Sequence, residues 1–216
     1  MALHKLFDTA PKFGADDFVG RLRSGTQIQG RPVALSEWRV TTGDPETAAA
    51  VAEKYGGSPA EWETKTEEVF EVLTNQVEMP VLLSGLQSEF VLWGRGNTPI
   101  RRCDGSTQKD DNCTGCVCPS DIKEHKEGAR AGSACQPSVR AVFRLAELPD
   151  LGMWRFNSAS WQLAESINEQ EKALEEAGGE AHAVMKLELV EYTTKNGRNV
   201  SYTKPVIEVA QIAAAV

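Results

Sequence analysis

All five cysteines of this 216-residue chain fall within one stretch, Cys103, Cys113, Cys116, Cys118 and Cys135, and the remaining five-sixths of the sequence has none. Between them lie Asp104-Gly105-Ser106, Lys109-Asp110-Asp111-Asn112, Gly128 and Gly132-Ser133, which is turn chemistry with little apolar material. Such a segment cannot build a core of its own, so a cross-link has to hold it. Four thiolates around a tetrahedral zinc ion supply one. Disulfides are the competing cross-link and would leave one thiol over. Nothing at the N-terminus resembles a secretory signal, and a cytosolic chain rarely keeps disulfides. The sub-spacings are C-x2-C (Cys113, Cys116) and C-x-C (Cys116, Cys118), with Cys103 and Cys135 as the outlying partners. His125 is a possible substitute ligand, but in its Lys/Glu-rich surroundings it is read as a solvated side chain. Sulfur is in surplus and no base stands beside it, which favours a closed structural zinc over a hydrolytic one.

A chain of this length can bury a full core, and no apolar run in it is long enough to span a membrane. The expected setting is intracellular. The net charge of -8 argues against a protein that blankets duplex phosphates. Residues 95–144 form the one mildly basic zone, with nine Lys/Arg against six Asp/Glu.

Along the chain, Phe18–Leu22 and Leu35–Val40 read as paired strands separated by turn signals at Gly25 and Gly30-Arg31-Pro32. Asp44-Pro45-Glu46 opens a helix that ends on Gly56-Gly57. Ser58-Pro59-Ala60-Glu61 repeats the start signal and predicts a second short helix carrying Trp62. Val69–Leu73, Val77–Leu83 and Phe90–Trp93 read as three strands, with Pro80 marking an edge or a bulge. Val139–Leu145 alternates apolar and basic residues, so the cysteine loop is expected to connect two strands of one sheet. Gly152–Asn157 predicts a strand, and Ser160 caps a helix from Trp161 to about Glu176 with an apolar stripe of Trp161, Ala164, Ile167 and Leu174. The chain finishes on a hairpin about Asn196-Gly197. The expected class is α+β: a mainly antiparallel curved sheet or partly open barrel with two to three helices and a zinc-binding loop.

Three histidines, no G-x-S-x-G elbow and no phosphate-binding P-loop leave an enzyme without a constellation to stand on. Gly94-Arg95-Gly96 reads as a turn, and Asp110-Asp111 as a solvated pair.

The strings Phe18-Val19-Gly20-Arg21-Leu22-Arg23-Ser24-Gly25, Leu35-Ser36-Glu37-Trp38-Arg39-Val40-Thr41-Thr42-Gly43-Asp44-Pro45 and Tyr55-Gly56-Gly57-Ser58-Pro59-Ala60-Glu61-Trp62 are long and idiosyncratic. With Leu92-Trp93-Gly94-Arg95, Arg102-Cys103-Asp104-Gly105, Cys116-Val117-Cys118-Pro119 and Phe156-Asn157-Ser158-Ala159-Ser160-Trp161, they resemble the recombination directionality factors of Streptomyces temperate phages. The resemblance covers nearly the whole chain. It implies a single domain over 1–216 with 103–135 as a cysteine-rich zinc loop insertion, and a non-enzymatic protein of the bacterial host cytoplasm. Its implied partner is a phage-encoded large serine integrase on att-site DNA. Binding would switch that integrase from attP × attB integration to attL × attR excision by protein contact, without sequence-specific DNA binding of its own. The resemblance also matches Cys103, Cys116 and Cys118 to cysteine-bearing positions, with Cys135 completing a structural zinc set and Cys113 as the competing ligand. The alternative is a phage single-stranded DNA-binding protein, a zinc-stabilised barrel offering Trp38, Trp62 or Trp93 for base stacking.

Overall fold

The computed structural model describes residues 17–108 and 115–210. The first residues of the chain, Asp110-Asp111, Cys113 and the Ala-rich tail lie outside them. The strands are β1 (Phe18–Ile28), β2 (Arg31–Thr42), β3 (Pro59–Glu61), β4 (Phe70–Leu73), β5 (Glu78–Trp93), β6 (Pro99–Cys103), β7 (Gln136–Leu145), β8 (Met153–Ser158), β9 (Ala181–Thr193) and β10 (Asn199–Val209). The helices are α1 (Pro45–Tyr55), α2 (Ile122–Arg130) and α3 (Trp161–Glu176). The class is α+β with three helices among the described residues.

The expected curved sheet or partly open barrel does not form. Strand order is β10-β9-β5-β7-β8-β1-β2-β4-β3, with β6 paired to β5 off this path, so the sheet is open and ends in two edges. Closing a barrel requires its first and last strands to pair in a consistent stagger. The terminal strand β3 has only three residues, all engaged with β4, and cannot match the eleven residues of β10. The pairs β1–β2, β2–β4, β3–β4, β5–β6, β5–β9 and β9–β10 are antiparallel, whereas β1 and β8 run parallel.

Local chemistry explains several elements. Asp44 caps α1 by accepting from the backbone N–H of Glu46 and Thr47, with Pro45 at the first helical position. Gly25, expected in a turn, lies inside β1 at a register shift, and a Cβ there would stand 2.9 Å from Val33 O. The turn itself falls on Gln29-Gly30, both at positive φ. Val77–Leu83 and Phe90–Trp93 merge into the single sixteen-residue β5. Pro80 sits in the paired interior of that strand, opposite Val184, rather than at an edge.

The predicted helix at Ser58 is instead β3. The start signal there is followed by Glu63-Thr64-Lys65-Thr66-Glu67, which offers no apolar stripe to bury. Gly57, at φ +85, brings its backbone so close to β4 that a Cβ would lie 2.0 Å from Leu73 O. That approach lays Pro59–Glu61 alongside Phe70–Val72.

By chain contacts the protein divides into two compact units. One falls within Met1–Leu86, Ala141–Phe156 and Glu169–Val216, and the other comprises Gln87–Arg140 and Asn157–Asn168. The first is centred on Trp38 and Phe156, both fully buried, whose rings meet edge to face at 5.5 Å. The Trp38 indole N–H donates to Met185 O at 3.1 Å, and its carbonyl accepts from both the N–H and the hydroxyl of Thr74. Leu22, Val40, Val72, Met79, Phe143, Met185 and Ile207 complete that core. On α3 the buried positions are Leu163, Ile167 and Leu174, so Leu163 takes the place expected of Ala164.

The first unit also holds a buried carboxylate. Glu68 accepts from the Thr41 hydroxyl at 2.7 Å and pairs with Arg21 at 2.6 Å, Arg23 at 2.9 Å and Arg155 at 3.4 Å. Burial raises the pKa of Glu68, but the Thr41 hydrogen bond and the guanidinium groups outweigh it and leave the carboxyl below its ordinary value. A carboxylate depressed in the folded state stabilises above its unfolded pKa and loses that contribution as pH falls through the folded one. Replacing Glu68 with Gln is expected to cost about 1–3 kcal/mol at neutral pH. The loss should shrink on acidification, as pH falls through the depressed folded-state pKa and wild-type Glu68 also becomes neutral. Urea melts of both proteins at pH 7 and pH 3 check this; an equal gap at both values would contradict it.

Candidate metal centre

The second unit carries the cysteines. Cys103 closes β6 and Cys135 immediately precedes β7, so two strands fix the outlying sulfurs while a loop delivers the others. Asp104 shapes the start of that loop by accepting from the N–H groups of Ser106 and Thr107. Cys116 is then anchored by its own N–H on Ser106 O at 2.8 Å.

The sulfurs of Cys103, Cys116 and Cys118 all lie within 4.8 Å of one another, and those of Cys103 and Cys116 are 3.4 Å apart. With Zn–S bonds of about 2.3 Å, the sulfurs of a tetrahedral site stand about 3.8 Å apart. The triangle therefore fits three corners of such a site, and these three residues could coordinate a metal ion. The Cys135 sulfur lies outside that mutual spacing but adjoins it. The Cys135 N–H points to Cys118 Sγ at 3.4 Å, and one guanidinium, that of Arg101, reaches Cys118 Sγ and Cys135 Sγ at 3.4 Å each. All four described cysteines are free thiols, so the disulfide alternative is not realised among the described residues. Cys113 lies outside them.

Electrostatics divide Cys103, Cys118 and Cys135. Burial pushes the Cys103 thiol far up and also raises Cys135, where Arg101 only partly offsets it. At Cys118 burial again opposes ionisation, but hydrogen bonds from Cys135 and Cys116 and the charge of Arg101 outweigh it, so this thiol ionises most readily of the three. A zinc ion bound by four thiolates carries two excess negative charges, and Arg101 is placed to neutralise part of them.

His125, expected in solvent, is buried. It lies on α2, a helix the turn-rich sequence concealed, whose N-cap Asp121 accepts from Lys123 and Glu124 N–H. The imidazole packs against Phe90 at 5.3 Å and Trp161 at 5.0 Å between ring centres. Its Nε2 is 2.9 Å from Cys135 O; a carbonyl only accepts, so this nitrogen carries the proton and is not free for a metal. His125 instead fixes the backbone of Cys135.

The aromatic side chains considered for base stacking do not form a platform. Trp38 is core, and Trp62 is half-buried, its indole N–H donated to Glu68 O and its ring covered by Arg39 at 4.3 Å. Trp93 is half-buried as well. No helix of the described residues is long and apolar enough to cross a membrane.

No solved structure matches the chain. A family model described as Gp3-like, recombination directionality factor-like, matches residues 19–210 and so spans both compact units, the buried Glu68 and the cysteine triangle. The chain belongs to this family of recombination directionality factor-like proteins, and its role is that of a non-catalytic phage partner of integrases.

Proposed function

We propose that this protein binds a large serine integrase on att-site DNA and switches it from attP × attB integration to attL × attR excision, in the cytoplasm of the bacterial host. The family match over residues 19–210 carries the reading. To redirect an integrase by binding alone, the protein must hold one arrangement of the recombinase more tightly than another. The whole chain acts as one functional domain, with 103–135 an inserted loop. Cys103, Cys116, Cys118 and Cys135 hold a structural zinc ion there, with Cys113 as the competing fourth ligand. When bound, the metal supplies no reaction step; it ties the loop between β6 and β7 into a fixed surface.

An in vitro recombination assay tests the switch. Cognate integrase with attL and attR substrates should give little product alone and abundant product when this protein is added, while attP × attB joining falls. Unchanged product ratios with folded, zinc-loaded protein would reject the reading.

A further inference from the structure

One face of the first unit carries more positive charge than its own ion pairs require. Strand register sets Arg155 opposite Arg21, Arg21 opposite Thr41, and Thr41 opposite Glu71; in the next row Arg23 faces Arg39, which faces Leu73. Opposed residues project to the same side of a sheet, so β8, β1, β2 and β4 present these side chains together. The other side holds Leu22, Val40, Val72, Trp154 and Phe156, all buried. On the arginine side, Arg21, Arg23 and Arg155 converge on Glu68, and Arg39 pairs with Glu71 at 2.6 Å. Four guanidinium groups thus share two carboxylates.

Each guanidinium has five N–H donors, while a carboxylate offers about four acceptor sites, one of which at Glu68 is taken by Thr41. Donors are left over. The Arg155 Nε has no hydrogen-bond partner but is buried, so it marks a cluster short of acceptors, and the donors a partner can reach are those on the exposed parts of these side chains. The side chains of Arg21 and Arg23 are each 26% exposed and that of Arg155 23%, so part of each reaches the surface. Beside them stand the Trp62 ring and two exposed aliphatic side chains, Val69 and Leu73. Arginine and tryptophan bordered by apolar surface is the composition of an interface centre rather than of ordinary solvent-facing sheet.

We propose that this face docks an acidic segment of the protein partner, whose carboxylates take the spare guanidinium donors while an adjoining apolar residue covers Leu73 and Val69. The inference rests on the reading that the protein acts through a protein partner, and it deepens that reading by naming the contact surface. Glu68 already shows the geometry in cis: a carboxylate seated on several arginines. A run of nucleic-acid phosphates fits less well, because a local excess of two cations on a chain of net charge -8 cannot offset many phosphates, and phosphates leave Leu73 and Val69 uncovered.

Two variants test it. Arg23→Gln removes one guanidinium while Arg21, Arg155 and Thr41 still hold Glu68, and Leu73→Ser alters a side chain that is 53% exposed. Lys172→Gln on α3, whose side chain is 75% exposed, serves as control. Binding to immobilised cognate integrase should weaken about tenfold for each of the first two and not for the control, with thermal melts of Leu73→Ser matching wild type. Wild-type binding of integrase with both variants undiminished overturns the docking face and leaves the proposed function standing. Absence of wild-type binding overturns the proposed function, and the face is then judged by a second probe. That probe is a short peptide of alternating glutamate and leucine, whose binding should depend on Arg23 and weaken with salt. No Arg23-dependent peptide binding, or displacement of the peptide by a lower concentration of single-stranded oligonucleotide, overturns the assignment to an acidic protein segment.

Discussion

Purified protein is expected to contain one zinc ion per chain, and stripping it should unfold the cysteine loop. Zinc binding in small structural sites supplies about 10–16 kcal/mol of folding free energy at neutral pH, comparable to the whole stability of a typical domain. The loop from Asp104 to Ala134 has little else to hold it. Among its described residues only His125 and Ala134 are buried, and these residues hang on the sulfurs, on Asp104 and on α2. Replacing Cys116 and Cys118 together with Ser should abolish zinc, measured by elemental analysis, and expose the loop to limited proteolysis. A stable, protease-resistant, zinc-free double variant would refute a structural metal. Single replacements identify the fourth ligand: Cys135→Ser should lose zinc and Cys113→Ser should keep it, and the reverse pattern would transfer the role to Cys113. The arrangement around Arg101 predicts a milder effect for Arg101→Ala, with metal retained but more easily removed by chelator.

Trp38→Ala should be the most damaging single change in the first unit. The side chain is fully buried, its ring meets Phe156, and its indole N–H satisfies Met185 O. Truncating a buried tryptophan costs about 3–5 kcal/mol from lost contacts and the cavity left behind. The Met185 carbonyl, which stays within the β9 ladder, also loses its hydrogen bond from the indole. Against a typical total of about 5–15 kcal/mol, the variant should be largely unfolded at moderate temperature. Trp38→Phe, which keeps the ring but loses the N–H, should fall between. Equal melting temperatures for Trp38→Ala and wild type would contradict this account of the core.

Much of the secondary structure was legible because it follows from local rules. The alternation of Val139, Ala141, Phe143 and Leu145 appears as four alternately buried positions in β7, with Pro137 ahead of them as a fifth, and Asn196-Gly197 joins β9 to β10 with Gly197 at positive φ. Where local rules compete, the sequence misleads. Ser58-Pro59-Ala60-Glu61 carries a helix-start signature, yet pairing with β4 wins because no apolar stripe follows it. Asp121 and Glu124 carry the cap of α2, but the polar, glycine-bearing stretch around them masks it. Openness of the sheet was beyond local reading altogether: alternation tells which face of a strand is buried, and not which two strands are left without neighbours. The cysteine cluster was visible as a string. That three of its sulfurs form a triangle, that His125 serves the backbone of Cys135, and that one arginine spans two sulfurs are facts of tertiary placement. The Glu68 cluster gave no signal either, since its members come from positions 21, 23, 41, 68 and 155.

The parallel pairing of β1 with β8 bears on how the chain is made. β1 leaves the ribosome with β2 as its hairpin partner, while its other neighbour, residues Met153–Ser158, follows about 130 residues later. Until then one edge of β1 stays unpaired, and an unpaired strand edge invites association with other nascent chains. Such long-range pairing also slows folding. Slower translation or chaperone access between β2 and β8 is therefore expected to alter how much folded protein accumulates.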